Sequence, residues 1–262
     1  MPLRRTTDRP QRRLVLLGAS NVRNGLSVIL DTARRIYGEP LEVMTAIGHG
    51  RSYGHDSWWW MRGLPSILHS ELWTELESAP RLPTSALISD IGNDLLYDET
   101  PEQIAAWVRV CVERLRPHAE QLVITSLPID NLASLSEWWF LFMRSVQFPR
   151  CRLDLSMVTA RAIELNERVA ELAREFETPL VKLESQWYGM DPVHFRFGNH
   201  GLAWRKILAP LVESDAPPFG GSWLEWLYCL GLPPSRWYLL RREITARQPC
   251  GRFSDGSTVA LY

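Results

Sequence analysis

The sequence of 262 residues predicts an α/β fold in which a parallel sheet carries helices on both faces. Short apolar runs, each long enough for one buried strand, alternate along the chain with longer segments whose apolar residues recur at helical spacing. Polar segments suited to chemistry also follow these apolar runs directly. In parallel sheets, functional sites lie outside the carboxyl ends of the strands, so the pattern predicts both the fold and the position of a site.

The first quarter of the chain shows the alternation clearly. Residues 14–17 form an apolar run and predict a buried strand, and residues 24–37 predict a helix that ends at Gly38. Residues 41–47 predict a second strand, which leads into a polar, Gly-rich loop at 48–56.

The same alternation continues to about residue 212. Residues 64–76 predict a helix, residues 85–91 a third strand, and a helix opened by Pro101 ends near Pro117. The remaining predicted elements are a fourth strand at 121–127, an amphipathic helix at 155–176, a fifth strand at 180–183 and a helix at 198–212. We therefore expect a sheet of about five strands.

Three regions are predicted from the change in composition along the chain. Residues 1–12 form a basic N-terminal tail, and residues 13–214 form the α/β domain. Residues 215–262 are a Trp-rich C-terminal extension, which begins with Pro and Gly pairs and contains a hairpin-turn sequence at 254–257. We expect this extension to pack on the domain or on a second subunit, which would make the protein a homodimer.

The composition excludes several classes of function. A formal net charge of -1 argues against a nucleic-acid-binding surface, and no apolar stretch is long enough to span a membrane. The four cysteines form no CxxC motif, and the N-terminus lacks the apolar core of an export signal, so we expect reduced thiols and a cytoplasmic protein. No cluster has the spacing of metal ligands, so we expect no bound metal ion.

Ser20 is the first candidate for a chemical role. It lies where the first strand gives way to the first helix, a position that exposes a hydroxyl beside the free backbone N–H groups of the helix start. The alternative is a helix cap, a role that Asn21 would share. Asn93 follows the third strand, where its amide could donate to an oxyanion or could simply belong to a turn.

Asp191 and His194 form the most informative pair. Three residues apart on a short turn, the carboxylate can accept from the imidazole Nδ1 and leave Nε2 free to take a proton from a serine. The alternative is an ordinary surface loop. His200 is expected to be a helix-terminus or supporting residue rather than a second base.

A competing nucleophile occurs in the Gly-rich loop. Residues 50–54 match the GxSxG motif, which marks the nucleophile in α/β-hydrolases and would assign that role to Ser52. Two features oppose this: the motif follows only two strands, and the Asp and His of that family lie on separate loops. The loop has a second possible role, because the backbone N–H of Gly50 could help to bind an oxyanion.

Taken together, these segments resemble the SGNH (GDSL-type) hydrolases, which are named for a Ser, a Gly, an Asn and a late His. The matching positions over about 13–212 are Ser20, Gly50, Asn93 and His194. The resemblance implies a flavodoxin-like three-layer fold and a Ser20, His194 and Asp191 triad that works without a cofactor. It also implies that Ser20 and Gly50 N–H groups and the Asn93 side chain form the oxyanion hole.

The sequence departs from the family pattern at two positions. Ala19 stands where the family usually has Asp, so the carboxylate that would brace the nucleophile turn is missing. The second block contains both Gly48 and Gly50, and either could be the oxyanion glycine; we prefer Gly50 because Gly-Arg-Ser recurs in carbohydrate-esterase-like members.

The expected function is the hydrolysis of a small-molecule acyl ester, of an acylated sugar or a small lipid, through an acyl-enzyme. Trp58 and Trp187 are candidates for binding the substrate. The alternative for Trp58 is core or interface packing, or the docking of a partner, whereas Trp187 is expected to form part of the pocket wall. The competing hypotheses are a non-catalytic SGNH-like binding module and an α/β-hydrolase that uses Ser52.

Overall fold

A computed structural model describes residues 9–59, 61–133, 135–189, 191, 193–211 and 222–262. Its strands are β1 (Arg12–Leu17), β2 (Leu41–Ala46), β3 (Ser57–Trp59), β4 (Arg62–Leu64), β5 (Thr84–Ile88), β6 (Gln121–Thr125), β7 (Leu180–Val181), β8 (Arg236–Leu239), β9 (Arg242–Thr245), β10 (Gly251–Arg252) and β11 (Thr258–Leu261). Its α-helices are α1 (Ser20–Tyr37), α2 (Leu72–Ser78), α3 (Pro101–Leu115), α4 (Ile129–Ala133), α5 (Glu137–Gln147), α6 (Leu155–Glu175), α7 (His200–Leu208) and α8 (Trp223–Gly231).

The strands form a large sheet and a small one. The large sheet has seven strands in the order β10-β11-β2-β1-β5-β6-β7, and every neighbouring pair is parallel except β10 with β11. The small sheet is antiparallel and has the order β3-β4-β8-β9.

Helices cover both faces of the large sheet, as the sequence predicts. Alternate residues of β1 point to opposite faces, so that Leu14 and Leu16 pack with α1, α7 and α8 while Val15 and Leu17 pack with α2, α3 and α6. The start of α3 is the one that Pro101 indicates in the sequence. Thr100 caps α3 by accepting from the N–H of Gln103 at 3.2 Å, and Pro101 occupies the first helical position.

The large sheet has seven strands rather than about five, because the C-terminal extension supplies β10 and β11. The predicted turn at 254–257 connects them, with Gly256 at a φ of +86°. The extension also supplies β8 and β9 to the small sheet and α8 to one helical layer. The predicted boundary at 214/215 and most of the tail at 1–12 lie outside the described residues.

The helix predicted at 64–76 is shorter in the structure. Residues 62–64 form β4 and only Leu72–Ser78 is helical, because Pro65 disfavours a helical conformation at the residue before it. No helix in the described part of the chain combines the length and the apolar content needed to cross a bilayer.

Candidate active site

The carboxyl edge of the large sheet brings the candidate residues together. Ser20 follows β1 as the first residue of α1, and Asn93 lies in the 3-10 turn Ile91–Tyr97 that follows β5. His194 belongs to the loop before α7. Because β1 and β5 are parallel neighbours, the segments that follow them emerge side by side.

Ser20, His194 and Asp191 form a hydrogen-bonded chain. His194 Nε2 lies 2.8 Å from Ser20 Oγ, and His194 Nδ1 lies 2.7 Å from Asp191 Oδ2. Burial lowers the pKa of His194, but the hydrogen bond and the charge of Asp191 outweigh burial and raise that pKa above its ordinary value. The Nε2 atom is therefore placed where a general base for the Ser20 hydroxyl would be.

The turn that carries His194 is closed by the Asp191 carboxylate itself. Asp191 Oδ1 accepts from the backbone N–H of Val193 at 2.9 Å and of His194 at 3.2 Å. Burial acts to raise the pKa of Asp191, but the bonds from His194 and from these N–H groups lower it overall. The carboxylate is consequently both ionised and fixed in direction.

Asp90 braces the turn that carries Ser20. Its Oδ2 accepts from the backbone N–H groups of Ala19 and Asn21 at 3.0 Å each and of Val22 at 3.2 Å. This carboxylate occupies the N-terminus of α1, where the helix dipole favours negative charge. The missing acidic residue at Ala19 is thus compensated by a carboxylate from the end of β5.

Asn21 connects Asp90 to the loop of His194. Its Nδ2 donates to Asp90 Oδ1 at 2.9 Å and to the carbonyl of Val193 at 2.8 Å, and its Oδ1 accepts from the N–H of Phe195 at 2.9 Å. The bonds to Val193 and Phe195 hold both sides of His194. Asn21 is therefore a positioning residue for the imidazole, rather than only a second helix cap.

The three expected oxyanion donors meet no acceptor among the residues described. Within the described residues, no hydrogen bond is made by the backbone N–H of Ser20, the backbone N–H of Gly50 or the side-chain amide of Asn93. The N–H groups on either side of Ser20, those of Ala19 and Asn21, both donate to Asp90 Oδ2. Gly50 has a φ of +65°, and its carbonyl accepts from Tyr97 Oη at 2.6 Å.

Gly48 has a different structural requirement. A Cβ added there would lie 2.2 Å from Leu64 Cδ1, and its carbonyl accepts from the N–H of Arg51 at 3.2 Å. The absence of a side chain at Gly48 is therefore explained by close packing against β4.

Ser52 is placed as a structural residue. It is completely buried, its Oγ donates to Asp94 Oδ1, and it accepts from the N–H groups of Gly54 at 3.2 Å and His55 at 3.1 Å. Burial raises the pKa of Asp94 to about 6. With no exposed surface and no imidazole partner in the described structure, Ser52 does not have the environment of a nucleophile.

An apolar cavity of about 100 Å³ lies beside the Asn93 side of the site. Its polar wall is formed by Asn21, Asp90 and Asn93, and its apolar walls come mainly from the turn after β5, the segment after β6, and α5. Its position makes room for an apolar group next to the expected oxyanion hole.

The two candidate tryptophans do not line this cavity. Trp187 is fully buried with its ring edge-to-face on Phe195 at 5.8 Å, which corrects the expectation that it forms a pocket wall. Trp58 is 43% exposed and borders a neighbouring open cleft with Tyr97. His200 is buried at the start of α7, where burial lowers its pKa, in agreement with a supporting role.

Sequence reasoning missed Asp90 and the second function of Asn21. The available signal was the Ser-Asp pair near the end of the strand predicted at 85–91, at the same edge as Ser20. Asp90 adopts a φ of 57°, a conformation that Asp tolerates better than most residues.

Comparison with known proteins supports the fold assignment. No family model and no curated protein matches the sequence. Among solved structures, Axe2, an acetylxylan esterase from Geobacillus stearothermophilus, has a TM-score of 0.51 at 12% identity over 80% of this chain and 98% of that chain. A mutant of Axe2 gives 0.52 at 14% identity over the same shares.

A lipolytic protein of the G-D-S-L family from Veillonella parvula DSM 2008 has a TM-score of 0.48 at 11% identity, over 76% of this chain and 97% of that one. The two Axe2 structures, with TM-scores above 0.5, confirm the fold that the sequence resemblance implies. The chain has the SGNH hydrolase fold.

Proposed function

We propose that the protein is a serine hydrolase that cleaves an acyl ester by way of an acyl-enzyme. The observation that carries the proposal is the 2.8 Å contact between Ser20 Oγ and His194 Nε2, with Asp191 on the opposite ring nitrogen. A hydroxyl, a base and an orienting carboxylate in this order activate a serine in unrelated folds.

The first half-reaction forms the acyl-enzyme. Ser20 Oγ attacks the ester carbonyl carbon while its proton passes to His194 Nε2, and the carbonyl oxygen becomes an oxyanion. The N–H groups of Ser20 and Gly50 and the Asn93 amide stabilise that charge. The bond to the alcohol oxygen then breaks, and His194 returns the proton to the leaving alkoxide.

Water completes the reaction. His194 takes a proton from water as the hydroxide attacks the acyl-enzyme, and a second tetrahedral oxyanion forms in the same hole. Collapse releases the carboxylic acid and restores the Ser20 hydroxyl with the proton from His194. The apolar cavity beside Asn93 supports a substrate with a short apolar group near the scissile bond.

Labelling with a fluorophosphonate, followed by peptide mapping, tests this proposal. We expect one adduct on Ser20 that is lost in Ser20→Ala and kept in Ser27→Ala, which alters a buried serine on the same helix. It should also be kept in any folded Ser52→Ala protein. An adduct on Ser52, or no adduct on folded wild-type protein, would overturn the proposal, and the second result would favour a binding module.

A further inference from the structure

A second, smaller cavity lies where β2 ends and the loop to Gly50 begins. It has a volume of about 60 Å³. Its basic lining residues are Arg23, His49 and Arg62, and its apolar wall includes Pro234 and Leu261 from the C-terminal extension. This is room for a few water molecules or for one small polar group, but not for a sugar ring.

Arg23 brings an uncompensated positive charge to this cavity. The residue is 6% exposed, and its Nη2 donates to the carbonyls of Leu230 at 2.8 Å and Leu232 at 2.9 Å. Its Nη1 is buried without a hydrogen bond, and Arg23 forms no ion pair with any residue in the described ranges. A buried cation without an anionic partner costs free energy of folding, which favours a functional role for this charge.

Arg62 adds a second positive charge. Its guanidinium lies 5.7 Å from the centre of the Trp237 ring, and the ion pairs of the described residues do not include it. Burial and then the charge of Arg62 lower the pKa of Arg23 to about 10. Burial, Arg23, His194 and Arg62 together lower the pKa of His49 to about 4. The lining is therefore positive from the two arginines, and its one imidazole is neutral at pH 7.

We propose that this cavity binds an oxyanion group, a carboxylate or a phosphate, that is part of the ester substrate. The proposal rests on the proposed function, and it is carried by the unpaired guanidinium of Arg23 and the second charge of Arg62. Guanidinium groups bind such anions through charge-assisted hydrogen bonds, which are about twice as strong as neutral ones.

The position of the cavity relates the anion to the reaction. Arg23 follows Ser20 by three residues on α1, and side chains at this spacing lie on the same face with Cβ atoms about 5–6 Å apart. His49 directly precedes the expected oxyanion glycine. The lining of the cavity therefore belongs to the same helix and the same loop as the expected site, and the proposed substrate class is a small acidic ester.

Anion binding is measured first on Ser20→Ala, so that the result does not depend on catalysis. Thermal unfolding is followed as inorganic phosphate replaces chloride at constant ionic strength. We expect phosphate to raise the Tm of Ser20→Ala. In the double variant that also carries Arg62→Ala, the apparent Kd for phosphate should be about tenfold weaker. Arg242→Ala removes an exposed arginine from the same small sheet and is the control that should change nothing. Arg62 is used because Arg23 also anchors the extension.

Kinetics then test whether the anion belongs to the substrate. The neutral probe is p-nitrophenyl acetate, and the acidic probes are p-nitrophenyl hemisuccinate and 2-acetoxybenzoate, which carry a carboxylate on the acyl and alcohol side respectively. We expect one acidic probe to be preferred in kcat/KM, and Arg62→Ala to lower that preference about tenfold while Arg242→Ala retains it.

The outcomes separate this proposal from the proposed function. No phosphate effect on Ser20→Ala, or an effect that Arg62→Ala leaves intact, overturns the anion site. Phosphate binding without a preference for either acidic probe overturns the assignment to the substrate. Phosphate binding that depends on Arg62, in a wild-type protein that no fluorophosphonate labels, overturns the hydrolase and leaves the anion site standing.

Discussion

Replacing Asp90 by Asn tests whether this carboxylate holds the turn of Ser20 and the loop of His194 together. Oδ2 of Asp90 accepts hydrogen bonds from three backbone N–H groups, and Oδ1 accepts one from Asn21 Nδ2. An amide has one oxygen and one NH₂ group in the same space. In one orientation the new NH₂ group faces the three backbone N–H groups, and in the other it faces Asn21 Nδ2, so a donor meets a donor in both. Asn21 cannot turn to relieve this, because its bonds to Val193 and Phe195 fix its orientation.

The magnitude follows from the interactions lost. An unsatisfied buried donor costs about 1–3 kcal/mol. Removing a negative charge from the N-terminus of a helix costs about 0.3–1 kcal/mol more. Asp90→Asn should therefore lower the free energy of unfolding by about 1.3–4 kcal/mol, a large share of the 5–15 kcal/mol typical of a domain. The backbone should be unaffected, because Asn accepts the positive φ of Asp90 as readily as Asp does.

Urea unfolding followed by tryptophan fluorescence measures this difference from the shift in midpoint. Asp98→Asn is a matched control: Asp98 also has a positive φ, of 67°, but its exposed carboxylate pairs only with Arg161 at 2.8 Å in the described structure. We expect Asp98→Asn to cost less than about 1 kcal/mol. Equal losses in the two variants would show that Asp90 is not a brace, and the reasoning about Asn21 would fail with it.

Three further predictions concern the triad, the buried serine and one helix contact. Asp191→Asn should lower kcat by about 10⁴-fold. Because the base must be unprotonated and Asp191 raises the pKa of His194, the acid limb of the kcat/KM profile should also shift to lower pH in this variant. Ser52→Ala should lower the free energy of unfolding by about 2–4 kcal/mol in urea, since a buried carboxylate and two N–H groups lose their partner. Gly25→Ala should cost about 3 kcal/mol in the same assay, because its Cβ would lie 1.9 Å from Trp204 Nε1.

Each of these predictions has a control. If the acid limb of the pH profile lies at the same pH in Asp191→Asn as in the wild-type protein, the carboxylate does not set the pKa of His194. Ser20→Ala should abolish labelling yet change the free energy of unfolding by less than about 0.5 kcal/mol, the reverse of Ser52→Ala. Gly198→Ala should be similarly neutral, because nothing lies within 4 Å of the added Cβ. If it destabilised as much as Gly25→Ala, steric overlap would not be the cause.

The parts of the site that could be predicted from sequence are those set by local geometry. Ser20 follows an apolar strand directly, and Asp191 and His194 share one turn, so spacing alone brings their atoms within reach. Asp90 could not be predicted in this way. Its bonds reach Ala19 and Asn21, 71 and 69 residues away, and depend on the register of β5 beside β1.

The failures have the same physical origin. Trp187 is close to Asp191 in sequence, but sequence distance does not say whether a ring faces a pocket or the core. In the structure the Trp187 ring packs in the core with Phe195 and other aromatic rings. The sheet count was too low because residues 258–261 are a short apolar run after a polar break, and only pairing with β2 makes them a central strand.

That pairing also has a consequence for the order of assembly. Leu261 pairs with Thr45, so the open edge of β2 stays without its partner until more than 200 further residues have been synthesised. Contacts so distant in sequence form late and slow the folding of a chain. An apolar strand edge left open for that time is a template for pairing with another chain. We therefore expect a chain stopped short of residue 258 to aggregate rather than fold.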